Sequence, residues 1–326
     1  MAWDSVPWFV GGGAQHSPEV ARLMAYAATS GAEGIVTPGD LKVRPLAVPG
    51  GSVRVAAGAA LVRNRAAGGT SQTYVARNPI EDVVAIAPTG SGAGRVDLIV
   101  AQIEDPFMAG EPWQNPTDPR VGPYVYTRVV SNVPAGTKRL QDIPAYSGRS
   151  AITLARVDIP ASTGTITSAM ITDLRKLALP RESRYVKIIP AGATDKDLTS
   201  STFTFWPPSG NGVNSAIKLP VPSWATKAFI RMDVNSVAHV APGFIGDLRI
   251  KLDTLAGPSV PVDLDLPSGA EHVNQSVWFE VDVTAFQGLD VPIALEGLRR
   301  TGYTGILRTR PSTQYVLEAQ FYEAAV

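Results

Sequence analysis

Six acids stand where a paired-carboxylate chemistry could be sought: Asp195, Asp197, Asp253, Asp263, Asp265 and Glu280. Cleaving a glycosidic bond takes two carboxyl groups at a fixed separation, one to protonate the leaving oxygen and one to attack or to activate water. Alternation places Asp263 and Asp265 on one strand face, opposite Val262, Leu264 and Leu266, which is the pattern of a solvated sheet face. Asp195-Lys-Asp197 lacks the further acids and the glycine of a calcium loop and reads as a turn. A serine nucleophile would need an imidazole base, yet the three histidines, His16, His239 and His272, accompany no Gly-x-Ser-x-Gly elbow. Each reads as a lone surface histidine. With no cysteine there is no thiolate nucleophile, no zinc set and no disulfide. The glycines of residues 90–94 precede a strand and lack a phosphate-binding lysine, so they read as a hairpin turn. Catalysis is therefore unsupported, and no cofactor or metal is expected.

Aromatic side chains are the remaining chemistry, because a planar ring can stack on the apolar face of a sugar while polar neighbours fix its hydroxyls. Trp206, followed by Pro207-Pro208, and Trp224, just after Pro222, sit at strand ends where loops begin. With Tyr303 they are the candidates for glycan or partner contact, beside the default of packing in a core or an interface. Trp278 lies inside an alternating run and reads as core. Phe107, Trp113 and Tyr124 are scattered among five prolines in residues 105–124, where proline cannot donate to a ladder and central strand is excluded. Two readings stay open for that segment: a long loop folded over its own domain, or one that touches a neighbouring subunit.

These residues must be positioned by a chain of 326 residues with 44% hydrophobic and 18% charged residues, enough apolar material for about two folded domains. Lys+Arg 29 against Asp+Glu 29 leaves no net field to attract nucleic acid or an anionic membrane surface. No apolar run nears the roughly 18 residues of a spanning helix, so no membrane insertion is expected. The first residues carry an acid and a proline where a secretory signal would carry positive charge, so no export signal is expected.

The spacing predicts a helix starting at Ser17-Pro18-Glu19, with Val20, Leu23, Met24 and Ala27 on one face and Gly31 as its stop. Short alternating strands separated by paired glycines follow to residue 103, and another covers residues 151–159. A second helix is expected next, capped by Thr167 or Ser168, with Ile171, Leu174 and Leu177 inward. Asp173 and Arg175, two apart on that helix, would point to different sides and bind loops or a partner chain rather than each other. The polar residues 179–184 mark a boundary. Beyond it, six or more alternating runs separated by Gly, Pro, Ser and Asn predict an antiparallel sandwich of jelly-roll kind. The expected fold is mainly β: a β-rich domain over residues 1–180 with two short helices, then a β-sandwich over 185–326.

The first half resembles the minor tail proteins, baseplate or tail-tip components, of tailed phages that infect actinobacteria. The likeness covers about residues 1–180 and rests on the order of elements: a short helix, the strand pair of residues 53–62, the strand of residues 95–100 and a proline-rich loop. Its most specific part is the phrase over residues 159–175, Ile-Pro-Ala-Ser-Thr-Gly-Thr-Ile-Thr-Ser-Ala-Met-Ile-Thr-Asp-Leu-Arg. The resemblance implies a virion structural protein at the tail tip, made in the host cytoplasm, partnered by itself in a trimer or ring and by other tail proteins. Phe107, Trp113, Tyr124, Asp173 and Arg175 are the candidate interface residues, and the C-terminal domain would face a host or partner. A carbohydrate-binding adhesin for cell-envelope glycans is the second reading, and a polysaccharide hydrolase the third.

Overall fold

The computed structural model describes residues 11–108, 116–207 and 217–326 and is mainly β, with its strands paired antiparallel. It divides into two compact units, residues 1–179 with 325–326, and residues 180–324.

The first unit opens with α1 (Pro18–Ala28), where the Ser17 hydroxyl accepts from the Glu19 amide and proline fills the first turn. Ten strands follow: β1 (Gly34–Ile35), β2 (Val43–Pro45), β3 (Ser52–Val55), β4 (Gly58–Arg63), β5 (Thr73–Asn78), β6 (Asp82–Ala85), β7 (Arg95–Ile103), β8 (Val125–Val130), β9 (Ala151–Ile159) and β10 (Ile171–Asp173). They form three small sheets, β1-β4-β5, β2-β3-β6 and β10-β9-β7-β8. Ile99, Ala101 and Ile103 of β7 enter the main core beside Ile35, Val53, Val62 and Leu154, while Leu98 and Val100 enter a second, smaller cluster with Val130 and Leu140. That two-sided burial explains why residues 98–101 are an unbroken apolar run instead of an alternating one.

The second helix is not there. Ser168–Met170 makes a single 3₁₀ turn, and Ile171–Asp173 is a strand opposite Val157, Arg156 and Ala155. The exposed edge of β9 offers backbone partners, and the β-branched Thr165, Ile166, Thr167, Ile171 and Thr172 prefer the pleated state, so the ladder outcompetes the helix that the spacing of Ile171, Leu174 and Leu177 suggests. In extended backbone, residues two apart share a side, and Asp173 and Arg175 therefore do meet: Nη2 of Arg175 lies 2.7 Å from Oδ2 of Asp173. Residues 90–94 also differ from expectation, because β6 and β7 belong to different sheets and the glycines connect them without making a hairpin.

The second unit contains β11 (Glu182–Pro190), β12 (Lys196–Leu198), β13 (Thr204–Phe205), β14 (Lys218–Pro220), β15 (Lys227–Val240), β16 (Phe244–Leu252), β17 (Leu255–Ala256), β18 (Val260–Leu264), β19 (Ala270–Asp282), β20 (Asp290–Arg299), β21 (Ile306–Thr309) and β22 (Gln314–Tyr322). One sheet runs β11-β22-β15-β21-β12 with β19 on the other side of β15, and the second is built on β13-β20-β16 with β14, β17 and β18 at its margins. One core lies between them, holding Ile230, Met232, Leu248, Leu295, Leu317 and Phe321. A bulge between Val234 and Val237, with Ser236 at φ 60°, lets β15 change partner from β22 to β21. Polarity made residues 182–184 resemble a linker, but they are already strand, opposite Tyr322, Phe321 and Gln320. Pro261 sits in β18, which pairs with β16 alone, and Pro292 lies near the start of β20, as a missing donor requires.

Candidate functional site

In the first unit, α1, β5 and the chain flanking β7 and β8 enclose a groove of about 410 Å³ lined by Pro18, Arg22, Tyr74, Val75, Phe107 and Tyr124, among others. Its floor is polar and closed on itself. The Tyr74 hydroxyl donates to Oδ2 of Asp105 at 2.9 Å, the Arg22 guanidinium lies 5.2 Å over the Tyr74 ring and 3.6 Å from the same carboxylate, and its Nε donates to Gln72. Burial, reinforced by the Asp105 charge, pushes the Tyr74 phenol well above its ordinary range, so it stays a donor. Its rim is apolar and open: Phe107 is 73% exposed, Val75 69%, and Val125 and Val121 are exposed nearby in sequence. Phe107 and Tyr124 meet here with ring centroids 6.4 Å apart. Trp113, the third aromatic of the proline-rich segment, lies outside the described residues.

Asp173 and Arg175 are not part of that groove. The Arg175 side chain is fully buried, and its five N–H groups meet both Asp173 oxygens and the carbonyls of Pro38, Asp40 and Val326, the last three at 3.1, 2.6 and 2.7 Å. Burial alone would raise the Asp173 carboxyl, but the hydrogen bonds and charge of Arg175 outweigh it and hold the group below its ordinary range. A guanidinium so completely engaged locks its own unit together, and no donor is left for a partner chain.

In the second unit, Trp206 is 1% exposed and its indole Nε1 donates to the Lys196 carbonyl, so it is core and cannot stack on a glycan. Trp224 packs half-buried against the same core with the Arg181 guanidinium 5.3 Å from its ring, and Tyr303 is exposed in the turn after β20. Trp278, read as core, is 49% exposed. Its neighbours Val277 and Phe279 take the inward positions, and three consecutive apolar residues hide which parity faces out. His239 also reverses expectation: fully buried, it sets Nδ1 3.0 Å from Glu271 and Nε2 3.2 Å from the Pro242 carbonyl.

The acids considered for paired-carboxylate chemistry hold structural partners or stand in solvent. Asp197 belongs to β12 and makes a bidentate pair with Arg308, whose hydrogen bonds keep its carboxyl below the usual range; it is not a turn residue. Glu280 accepts from the Tyr322 phenol, and Asp263 and Asp265 are exposed. Among the described residues no cluster of three His, Asp or Glu could hold a metal ion. None of their helices is long and apolar enough to cross a membrane.

What sequence reasoning missed is the outer face of the larger sheet. Register sets four rows across β19, β15, β22 and β11: Asp282-Lys227-Tyr322-Glu182, Glu280-Phe229-Gln320-Arg184, Trp278-Arg231-Glu318-Val186 and Ser276-Asp233-Val316-Ile188. Phe229, Trp278, Val186 and Ile188 are exposed large apolar side chains there. The alternation Phe229-Arg231-Asp233 against Ala228-Ile230-Met232 was the signal that could have found them.

Compared with protein-family models and with curated proteins, the chain matches none. Among solved structures, the infectious bursal disease virus Gx strain aligns at TM-score 0.27 and 12% identity over 90% of this chain and 76% of that one. The VP2 subviral particle of the same virus aligns at 0.27 and 14%, over 90% and 75%. The mosquito-larvicidal Cry4Aa toxin from Bacillus thuringiensis aligns at 0.18 and 9%, over 90% and 54%. At such scores these likenesses carry no functional argument, and the β architecture stands on the strand pairing itself.

Proposed function

We propose that this chain is a structural component of a virion, at the tail tip or baseplate of a phage, and that it works by contact instead of catalysis. The first unit attaches to tail proteins and to identical neighbours in a trimer or ring, and the second is presented outward to a host or partner. The observation that carries the reading is the groove around Phe107: an open apolar rim over a floor whose charges already satisfy one another. Large exposed apolar side chains gathered in one place mark a surface that another protein covers. The resemblance of residues 1–180 to phage minor tail proteins supplies the kind of assembly.

Sedimentation of the full chain tests the contact. The wild type is expected to self-associate, and Phe107→Asp, which replaces a 73% exposed ring at the groove's rim with a charge, is expected to shift the population to monomer without changing the circular dichroism. Antibody labelling of intact particles tests the location, with label expected at the tail tip. A chain that stays monomeric at high concentration and is missing from purified particles would refute the proposal.

A further inference from the structure

The larger sheet of the second unit carries an aromatic diagonal that packing does not explain. Trp278 on β19, Phe229 on β15 and Tyr322 on β22 each lie one strand over and two residues along from the last, a step of about 7–8 Å on a sheet. All three belong to the outward parity, and Trp278 and Phe229 are exposed. Burying them inward would have given the core two more large side chains, so the outward placement leaves apolar area in water without return inside the unit. From this geometry we propose that the outer face of this sheet binds a neutral polysaccharide, with consecutive pyranose rings lying along the Trp278-Phe229-Tyr322 diagonal.

Charge and area select that occupant. The four rows carry three cations, Lys227, Arg231 and Arg184, against five carboxylates: Arg231 pairs with Asp233 at 2.8 Å and Arg184 with Glu318 at 2.7 Å, Lys227 stands opposite Asp282, and Glu280, engaged by the Tyr322 phenol, and Glu182 make the excess. A face with that negative excess repels a phosphate backbone or an anionic lipid, but its carboxylate and guanidinium edges still present acceptors and donors to hydroxyls. Four strands by four rows, the rows two residues apart, cover about 500 Å², at ~4.8 Å between strands and ~3.3 Å per residue. That is under two thirds of the roughly 800 Å² per partner that a stable protein interface buries. A ribbon-like chain of sugar rings needs only the length of the diagonal.

The test is affinity electrophoresis of the full chain in gels cast with three soluble neutral polysaccharides: a linear glucan, a mannan and a galactan. Retardation is expected in at least one gel. Trp278→Ala is expected to weaken it at least tenfold and Phe229→Ala severalfold, each with unchanged circular dichroism. Leu289→Ala, an exposed apolar side chain elsewhere in the unit, is expected to leave it unchanged. No retardation in any gel overturns the proposal, and so does retardation that survives Trp278→Ala together with Phe229→Ala. If the wild type instead self-associates through this face, so that Trp278→Ala alters sedimentation and no gel retards the chain, a second copy replaces the glycan as its occupant. Loss of the tail-tip location would leave this result standing, since binding is read on the isolated chain.

Discussion

The two units solve one problem in opposite ways. The second has two large sheets closing on a single core, and its charged side chains pair with one another, some in the open as Arg184 and Glu318 do, others with one partner buried as Glu296 is beside Arg249. The first has three small sheets and two clusters, and its irregular connections are tied inward by side chains that bond to backbone, with Arg175 holding three carbonyls from residues 38, 40 and 326. Where ladders are long, backbone hydrogen bonding is met within the sheet and charged side chains are free to pair with one another. Where strands are two to six residues long, as β1 to β6 are, many backbone groups fall outside any ladder and a buried polar side chain must supply what the sheet cannot. The second unit should therefore be sensitive to lost volume, and the first to lost hydrogen bonds.

The largest effect is expected from Trp206→Ala. Removing an indole buried between the sheets leaves a cavity that long, registered strands cannot collapse around, and large-to-small changes of this kind cost about 3–5 kcal/mol. Thermal or denaturant unfolding followed by tryptophan fluorescence and circular dichroism should show the second unit's transition moved down and the first unit's unmoved. Equal shifts in both would break the contrast.

Arg175→Ala comes next and reverses the pattern. It leaves three carbonyls without the donors of a fully buried guanidinium, beside an Asp173 that is 38% exposed, and unsatisfied acceptors of this kind cost on the order of 2–3 kcal/mol. Arg175→Lys should recover only part, since an ammonium has three donors where the guanidinium uses five. The Asp173 carboxyl is depressed in the folded state, so its contribution is complete above the unfolded carboxylate pKa and is lost as pH falls through the folded value. The stability gap between wild type and Asp173→Asn should accordingly be constant near neutrality and narrow below about pH 4. A gap that persists at lower pH would show that Asp173 acts through packing and not through its charge.

The contrast also explains what could be read from the chain. Period-two alternation located nearly all long strands, because in a sandwich each such strand must put one parity inside, as Ala228, Ile230 and Met232 do. It could not decide facing where both parities are apolar: Val277-Trp278-Phe279 admits either orientation, and only pairing with Arg231 and Ile230 settles it. The segment 165–177 failed differently, since helical spacing is a local signal and the edge of β9 that captured Ile171–Asp173 is a partner brought from residues 155–157. Composition singled out Phe107 and Tyr124 in one proline-rich segment without pairing them, and the Arg22-Tyr74-Asp105 floor joins three distant segments that no spacing announces.

The smallest effect is expected at an exposed ion pair of the second unit. Arg184 and Glu318 form a well-aligned pair at 2.7 Å, yet both are substantially exposed, so the attraction is screened and offset by the entropy of fixing two long side chains. A double-mutant cycle with Arg184→Ala and Glu318→Ala should give a coupling of about 0.5 kcal/mol, falling toward zero in high salt. That is well below what the buried Arg175 should give in the first unit at a similar N···O distance. If the two couplings were alike, hydrogen-bond geometry and not burial would govern these ions. The division of labour between a core-held unit and an arginine-held unit would then lose its physical basis.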